Sequence, residues 1–143
     1  MTIARVLADR GAVEIVQCNV DITVRDAITL LSQRRIGAMP VEEDGAIAGI
    51  FSERDVIHCL AIKGEAALDL TVREAMTSPA ITVGPETAVM AALSLMTRRR
   101  IRHLPVTEGG RTVGFVSIGD LVKYRIDRIE AEAEAMRSYI QAG

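Results

Sequence analysis

Serine and aspartate stand three residues apart twice in this chain, as Ser52–Asp55 in GIFSERD (49–55) and as Ser117–Asp120 in GFVSIGD (114–120). Each pair follows a glycine and two apolar residues, the pattern of a strand running into a helix. At a helix start, a hydroxyl with an acid in the first turn caps the free N–H groups. The same place suits an anion, because unpaired amides and the positive end of the helix dipole hold phosphate. The serine hydroxyl can bond a phosphate oxygen, and a carboxylate one turn inside can accept from two vicinal sugar hydroxyls. Arg54 would add a charge-assisted bond. Capping and ligand binding do not exclude each other. Their repetition behind a glycine that permits close backbone approach favours binding.

A second cluster is RRRIRHLPV (98–106), with four arginines and a histidine in an otherwise slightly acidic chain. Arg98 to Arg100 close a helix, where cations complement the dipole and are solvated. Arg102 and His103 lie between Ile101 and Leu104 and are expected to be half-buried at the entry to a strand. Their counterparts in the first half are Gly37 and Ala38. An anion held near Arg102 and His103 accounts for this asymmetry.

The elements that must position these groups come from an internal repeat. Shifted by 65, residues 24–57 align without a gap on 89–122, and 13 of 34 positions are identical. TIARVL near the start echoes TVREAM at 71–76. Such self-similarity means one supersecondary unit used twice. Each unit reads as an apolar strand (14–17 or 80–83) and a helix opened at Thr23, with Asp26 completing a capping box. A hairpin turning at Asp44-Gly45 or Gly109-Gly110 follows, then a second helix from Ser52 or Ser117. Ala27, Leu30 and Leu31, like Ala92, Leu93 and Met96, fall at core-facing helical spacing. The expectation is an α/β fold of two β-α-β-β-α units, residues 1–65 and 66–125, packed with pseudo-two-fold symmetry, plus a helical tail at 126–143. One unit alone buries too little surface to be stable.

Composition narrows the function. The net charge is −2, aromatics are 3% and tryptophan is absent, which argues against a nucleic-acid surface. No apolar run reaches membrane-spanning length, and the N-terminus does not read as a secretory signal. With two separated cysteines, Cys18 and Cys59, read as buried thiols, a cytoplasmic location is expected. Catalysis is not indicated, because no phosphate-binding GxxxxGK[ST], no GxGxxG after a strand and no zinc spacing occur.

The ordered motifs TVREAM, ITVGPETAVMAALSLM, RIRHLPV and GFVSIGDLV, matched by VRDAITLL, IGAMPV and GIFSERDV, resemble the CBS domain. Two in tandem resemble the CBS pair, or Bateman module, over residues 1 to about 125. SERD, LMTRRRIRHLPV and SIGDLVK are similar to the small stand-alone CBS-pair proteins of bacteria and plant organelles. The resemblance implies a regulatory energy sensor rather than an enzyme, with no catalytic cofactor and with AMP, ADP, ATP or NAD(H) in the cleft between the units. By position, Asp55 and Asp120 would hold ribose, and Ser52, Arg54, Ser117, Arg102 and His103 would face phosphate. Ile81-Thr82, with Val16-Gln17 in the other half, would border adenine, and the Ser117–Asp120 site would be the better formed. The output would pass to a separate regulated protein, and the family's habit implies a homodimer. The alternative is a scaffold with no ligand. In the tail, Val122, Ile126, Ile129, Ala133, Met136 and Ile140 make a heptad seam that packs on its own domain or on a second chain.

Overall fold

The computed structural model describes residues 1–142; Gly143, the last residue of the expected tail, lies outside them. The order of elements is α1 (Ile3–Arg10), β1 (Cys18–Asn19), α2 (Val24–Arg34), β2 (Ala38–Glu43), β3 (Ala46–Ser52), α3 (Glu53–Lys63), a 3-10 helix (Gly64–Asp69), α4 (Val72–Ala75), α5 (Val89–Arg99), β4 (His103–Glu108), β5 (Arg111–Ser117) and α6 (Ile118–Ala142).

The two hairpins are built alike because their sequences are. β2 pairs with β3 from Ala38↔Ser52 to Glu43↔Ala46, and β4 with β5 from His103↔Ser117 to Glu108↔Arg111. Both carry a register irregularity at the same place, between Val41 and Glu42 and between Val106 and Thr107. Both turns place two successive residues at positive φ, Asp44-Gly45 and Gly109-Gly110. That backbone matches the right-handed twist of the flanking strands. α2 starts at Thr23, whose hydroxyl accepts from the Asp26 N–H at 3.1 Å, so the cap forms on one side of the expected box.

The strands expected at 14–17 and 80–83 are displaced and shortened. Pairing begins only at Cys18, which lies parallel to β2 opposite Val41, and the equivalent in the second half is the single bridge Val83↔Val106. An apolar run becomes a strand only where a neighbouring edge offers its N–H and C=O groups. Residues 14–17 do not reach β2, and Gln17 is exposed.

Burial divides the molecule into two cores. One gathers Val24, Ala27, Leu31, Met39, Val41 and Phe51, and the other Val89, Ala92, Met96, Leu104, Val106 and Val116. Leu30 and Leu93 pack against them partly buried. Each core is closed by a segment from the other stretch of chain. Ile3 and Val6 of α1 lie in the second core, whereas Val72 and Ala75 of α4 lie in the first. Main-chain bonds fasten the exchange: Ile3 N–H to Thr87 O at 2.9 Å, and Val72 N–H to Ile22 O at 2.8 Å. The packing therefore crosses the 65/66 division in both directions. Between the halves β3 lies against β5, and Ile47 N–H donates to Gly110 O at 3.2 Å. Among the described residues no helix is long and apolar enough to cross a membrane.

Candidate functional site

Ser52 ends β3 in an extended conformation and its hydroxyl accepts from Asp55 N–H. Asp55 returns the bond: its Oδ2 accepts from Ser52 N–H at 2.9 Å and from Ser52 Oγ at 3.1 Å. Its Oδ1 accepts from Thr77 Oγ1 at 2.8 Å. The capping reading of Ser-x-x-Asp therefore holds, and the same bonds fix the carboxylate's direction. Ser117 and Asp120 repeat the arrangement, with Ser117 N–H to Oδ2 at 2.8 Å and Asp120 N–H to Ser117 Oγ at 3.1 Å.

A cavity of about 450 Å3 opens at the start of α3, between the halves. That size lies within the ~300–1,000 Å3 usual for small-molecule sites. The first half contributes Ser52, Arg54 and Asp55, the second Arg102 and His103. Ile50, Ile57, Ile81 and Ile101 supply apolar walls, and Thr77, Pro79 and Ala80 pass along it from the connector. Arg54 donates to Arg100 O at 3.3 Å, which ties α3 to the end of α5.

The two carboxylates do not share this crevice. Asp120 lines a separate cavity of about 420 Å3 with Arg10, Lys123 and Tyr124. There Arg10 Nη1 donates both to Asp120 Oδ2 at 3.1 Å and to Phe115 O at 2.9 Å, while its Nε is buried without a partner. Of the other sequence candidates, Ser117 is half-buried at the base of α6, Thr82 is half-buried beside Ile81, and Gln17 is exposed; none of the three lines either cavity. Arg102 is exposed rather than half-buried, in the bend just before β4 at the cavity's edge; His103 is half-buried as expected.

Sequence reasoning missed Arg10 and Thr77. Extending the TIARVL–TVREAM match by a few residues would have brought both out, since each follows its copy of that motif. The structure makes the relation explicit: Leu7 packs on Gly114 as Met76 packs on Gly49. The residues just beyond then reach the two aspartates, Arg10 to Asp120 and Thr77 to Asp55.

His103 stacks on Phe115 with ring centroids 5.4 Å apart and planes 9° from parallel. Burial pushes its pKa below the ordinary histidine value; Asp120 pulls it back up, Arg102 lowers it and Glu53 raises it. The ring is thus held neutral at pH 7. Because the folded-state pKa is depressed, the stabilisation this provides is present above the unfolded value of about 6.5 and is lost as pH falls through the folded one. Melting temperatures measured from pH 7.5 to 5 are expected to fall less in His103→Phe than in the wild type; equal profiles would remove His103 from the titration.

Cys18 and Cys59 are free and buried. Burial, then Glu42, raises the Cys18 thiol to about 11, and burial, then Asp55, raises Cys59. Thiols so disfavoured as thiolates are poor nucleophiles. Among the described residues no cluster of three or more His, Cys, Asp or Glu could hold a metal ion.

Two repeats, each opening a helix with Ser-x-x-Asp beside a cavity, and the first of these cavities shared between them, define a paired-domain architecture. The CBS domain family model matches residues 11–62 and 72–127, and the chain belongs to that family as a CBS pair, a kind of module that is generally regulatory and non-catalytic. It is 39% identical over 131 residues to the mitochondrial CBS domain-containing protein CBSX3 of Arabidopsis thaliana, covering 88% of this chain and 64% of that one. The chain thus spans about two thirds of that relative. A CBS-domain-containing protein of Agrobacterium tumefaciens superimposes with a TM-score of 0.81 at 36% identity, covering 87% of this chain and 92% of that one. The CBS domain pair of protein MJ0100, solved in complex with 5'-methylthioadenosine and S-adenosyl-L-methionine, shares the fold at a TM-score of 0.77 and 22% identity, covering 90% of this chain and 98% of that one.

Proposed function

We propose that the cavity at Ser52–Asp55 binds an adenosine nucleotide (AMP, ADP, ATP or NAD(H)), and that this CBS pair, as a cytoplasmic homodimer, passes the signal to a partner protein. One observation carries the reading: a single inter-repeat cavity combines isoleucine walls for a flat base, a carboxylate whose direction is already fixed, and Arg54, Arg102 and His103. Asp55 would accept from the ribose hydroxyls, the α3 amides and Ser52 would face phosphate, and Arg54 and Arg102, which offset the carboxylates of Glu53 and Asp55 in the cavity, would bond phosphate oxygens. A bound nucleotide would bridge both halves and so bias their packing, which is how binding at one place reaches a partner at another.

Titration of the purified chain with AMP, ADP, ATP and NAD(H), followed by thermal unfolding, tests this directly. A nucleotide at 100 times its dissociation constant adds about 2.7 kcal/mol of stability. If none of the four raises the melting temperature at millimolar concentration, the scaffold reading replaces it.

The second cavity is filled differently. Arg10 neutralises Asp120 by a salt bridge to Oδ2 that a ribose would have to compete with, so wild-type protein is expected to bind one nucleotide per chain. Arg10→Ala frees that carboxylate, and calorimetry is expected to count two. A wild-type stoichiometry of two would show that Arg10 yields to the ligand.

A further inference from the structure

α6 runs 25 residues, but only its first two turns are anchored, by the buried Leu121 and Tyr124. From Ile126 to Ala142 no residue is buried; Asp127 and Arg128 still border the Arg10 cavity, and the helix beyond them is roughly 21 Å long. Ile126 and Ile129 are 48% and 49% exposed, Met136 60% and Ile140 67%. With Val122 and the half-buried Ala133 they form one stripe, spaced alternately by four and three. A helix this long with no tertiary contact is marginal in water, and its stability must come from something that covers the stripe. The charges beside the stripe say what that is. Between residues 123 and 142 four basic side chains balance four acidic ones, which does not fit a membrane-surface helix with its basic face.

We infer that the stripe is covered by the same stripe of a second copy, in a parallel, in-register two-stranded coiled coil. The inference rests on the homodimer proposed above and is independent of any ligand. With Ile126, Ala133 and Ile140 at one seam position and Val122, Ile129 and Met136 at the other, the flanking residues are Arg125 and Glu132 on one side and Glu130 and Arg137 on the opposite side. A parallel pair sets each flanking residue against the one five further along in its mate. Arg125 then meets Glu130 of the second copy and Glu132 meets Arg137, each twice by symmetry, so all four contacts are attractive. Within one chain Arg125 and Glu130 form no ion pair among the described residues, and Glu132 and Arg137 form only exposed helical pairs at 3.9 and 3.5 Å that exchange at little cost. A fully overlapped antiparallel pair would instead oppose Glu130 to Glu130 and Lys123 to Arg137. Sliding an antiparallel pair by one heptad either drives the last turn of each tail against the other copy's folded body or shortens the overlap so that Val122 and Ile126 lose their apolar partners.

Ile126→Cys in the full chain tests orientation, since a parallel pair brings residue 126 against itself, whereas the full antiparallel overlap and its outward displacement separate the two by about 15 Å or more along the axis. Mild oxidation is expected to give a covalent dimer on a non-reducing gel, with the wild type, whose cysteines are buried, giving none. Sedimentation supplies the second arm: Arg125→Glu is expected to weaken the dimer about tenfold, as two attractive contacts become repulsive, and adding Glu130→Arg to restore it. No crosslink, or a double variant no tighter than the single one, overturns the coiled coil. So does a dimer indifferent to Ile129→Lys, although the homodimer would then stand on another face. A wild-type chain that sediments as a monomer at tens of micromolar overturns both.

Discussion

Replacing Asp55 by asparagine is expected to lower the affinity for adenosine nucleotides about a hundredfold while the protein stays folded. The carboxylate is held by Ser52 N–H, Ser52 Oγ and Thr77 Oγ1 at 2.8–3.1 Å, so it would meet a sugar diol without reorganising. A hydrogen bond to a charged group contributes about 1.5–3 kcal/mol. Weakening two of them at once removes about 3 kcal/mol, or two decades in the dissociation constant. Asparagine keeps an oxygen for Ser52 N–H, so the cost to the helix start should stay near 1 kcal/mol or below. Calorimetry and a melting curve on the same sample separate the two effects. Asp120→Asn serves as the control: its carboxylate is engaged by Arg10 and its removal should leave the Asp55 site intact. Unchanged affinity in Asp55→Asn would reduce Asp55 to a cap.

The second large effect is expected at Gly49, where alanine should cost about 2–3 kcal/mol and also weaken binding. A Cβ there would sit 2.6 Å from the Thr77 carbonyl oxygen and 2.8 Å from Met76 Sδ. The carbonyl cannot move alone, because Thr77 and Ile50 exchange both main-chain bonds at 2.9 Å. The connector would be displaced bodily, and with it the Thr77 hydroxyl that orients Asp55; overpacking of this kind costs about 1–3 kcal/mol. The equivalent Gly114 offers a contrast. Its added Cβ would meet Leu7 Cδ1 at 2.7 Å, the free end of a flexible side chain that can change rotamer. Gly114→Ala should therefore cost under about 1 kcal/mol. Chemical denaturation of the two variants tests the difference, and equal losses would refute the argument from backbone rigidity.

Much of this was legible before any coordinates. The repeat, the hairpins with their Asp-Gly and Gly-Gly turns, and the Ser-x-x-Asp helix starts are local features, set by residues within a few positions of one another. Residues 14–17 misled because a strand depends on the edge it meets, and their apolarity carries no information about that edge. Arg102 misled for a related reason: β4 begins only at His103, so the arginine sits in the bend before the strand, where its apolar neighbours in sequence do not decide its burial. The distribution of the site was not legible either. Nothing local distinguishes Asp55 from Asp120. What separates them is that a threonine follows one copy of the docking segment and an arginine the other, and only tertiary packing brings these against the carboxylates.

The exchange of α1 and α4 bears on how the protein is made. The ribosome releases Ile3 and Val6 well before the rest of their core, since the apolar surface they fill is not complete until Tyr124 has emerged. α1 must therefore wait, uncovered, while more than a hundred further residues are made. The first half meets no such delay, since its own closing segment ends at residue 75. A nascent chain should gain its structure in two unequal stages, with the N-terminal end among the last parts to settle.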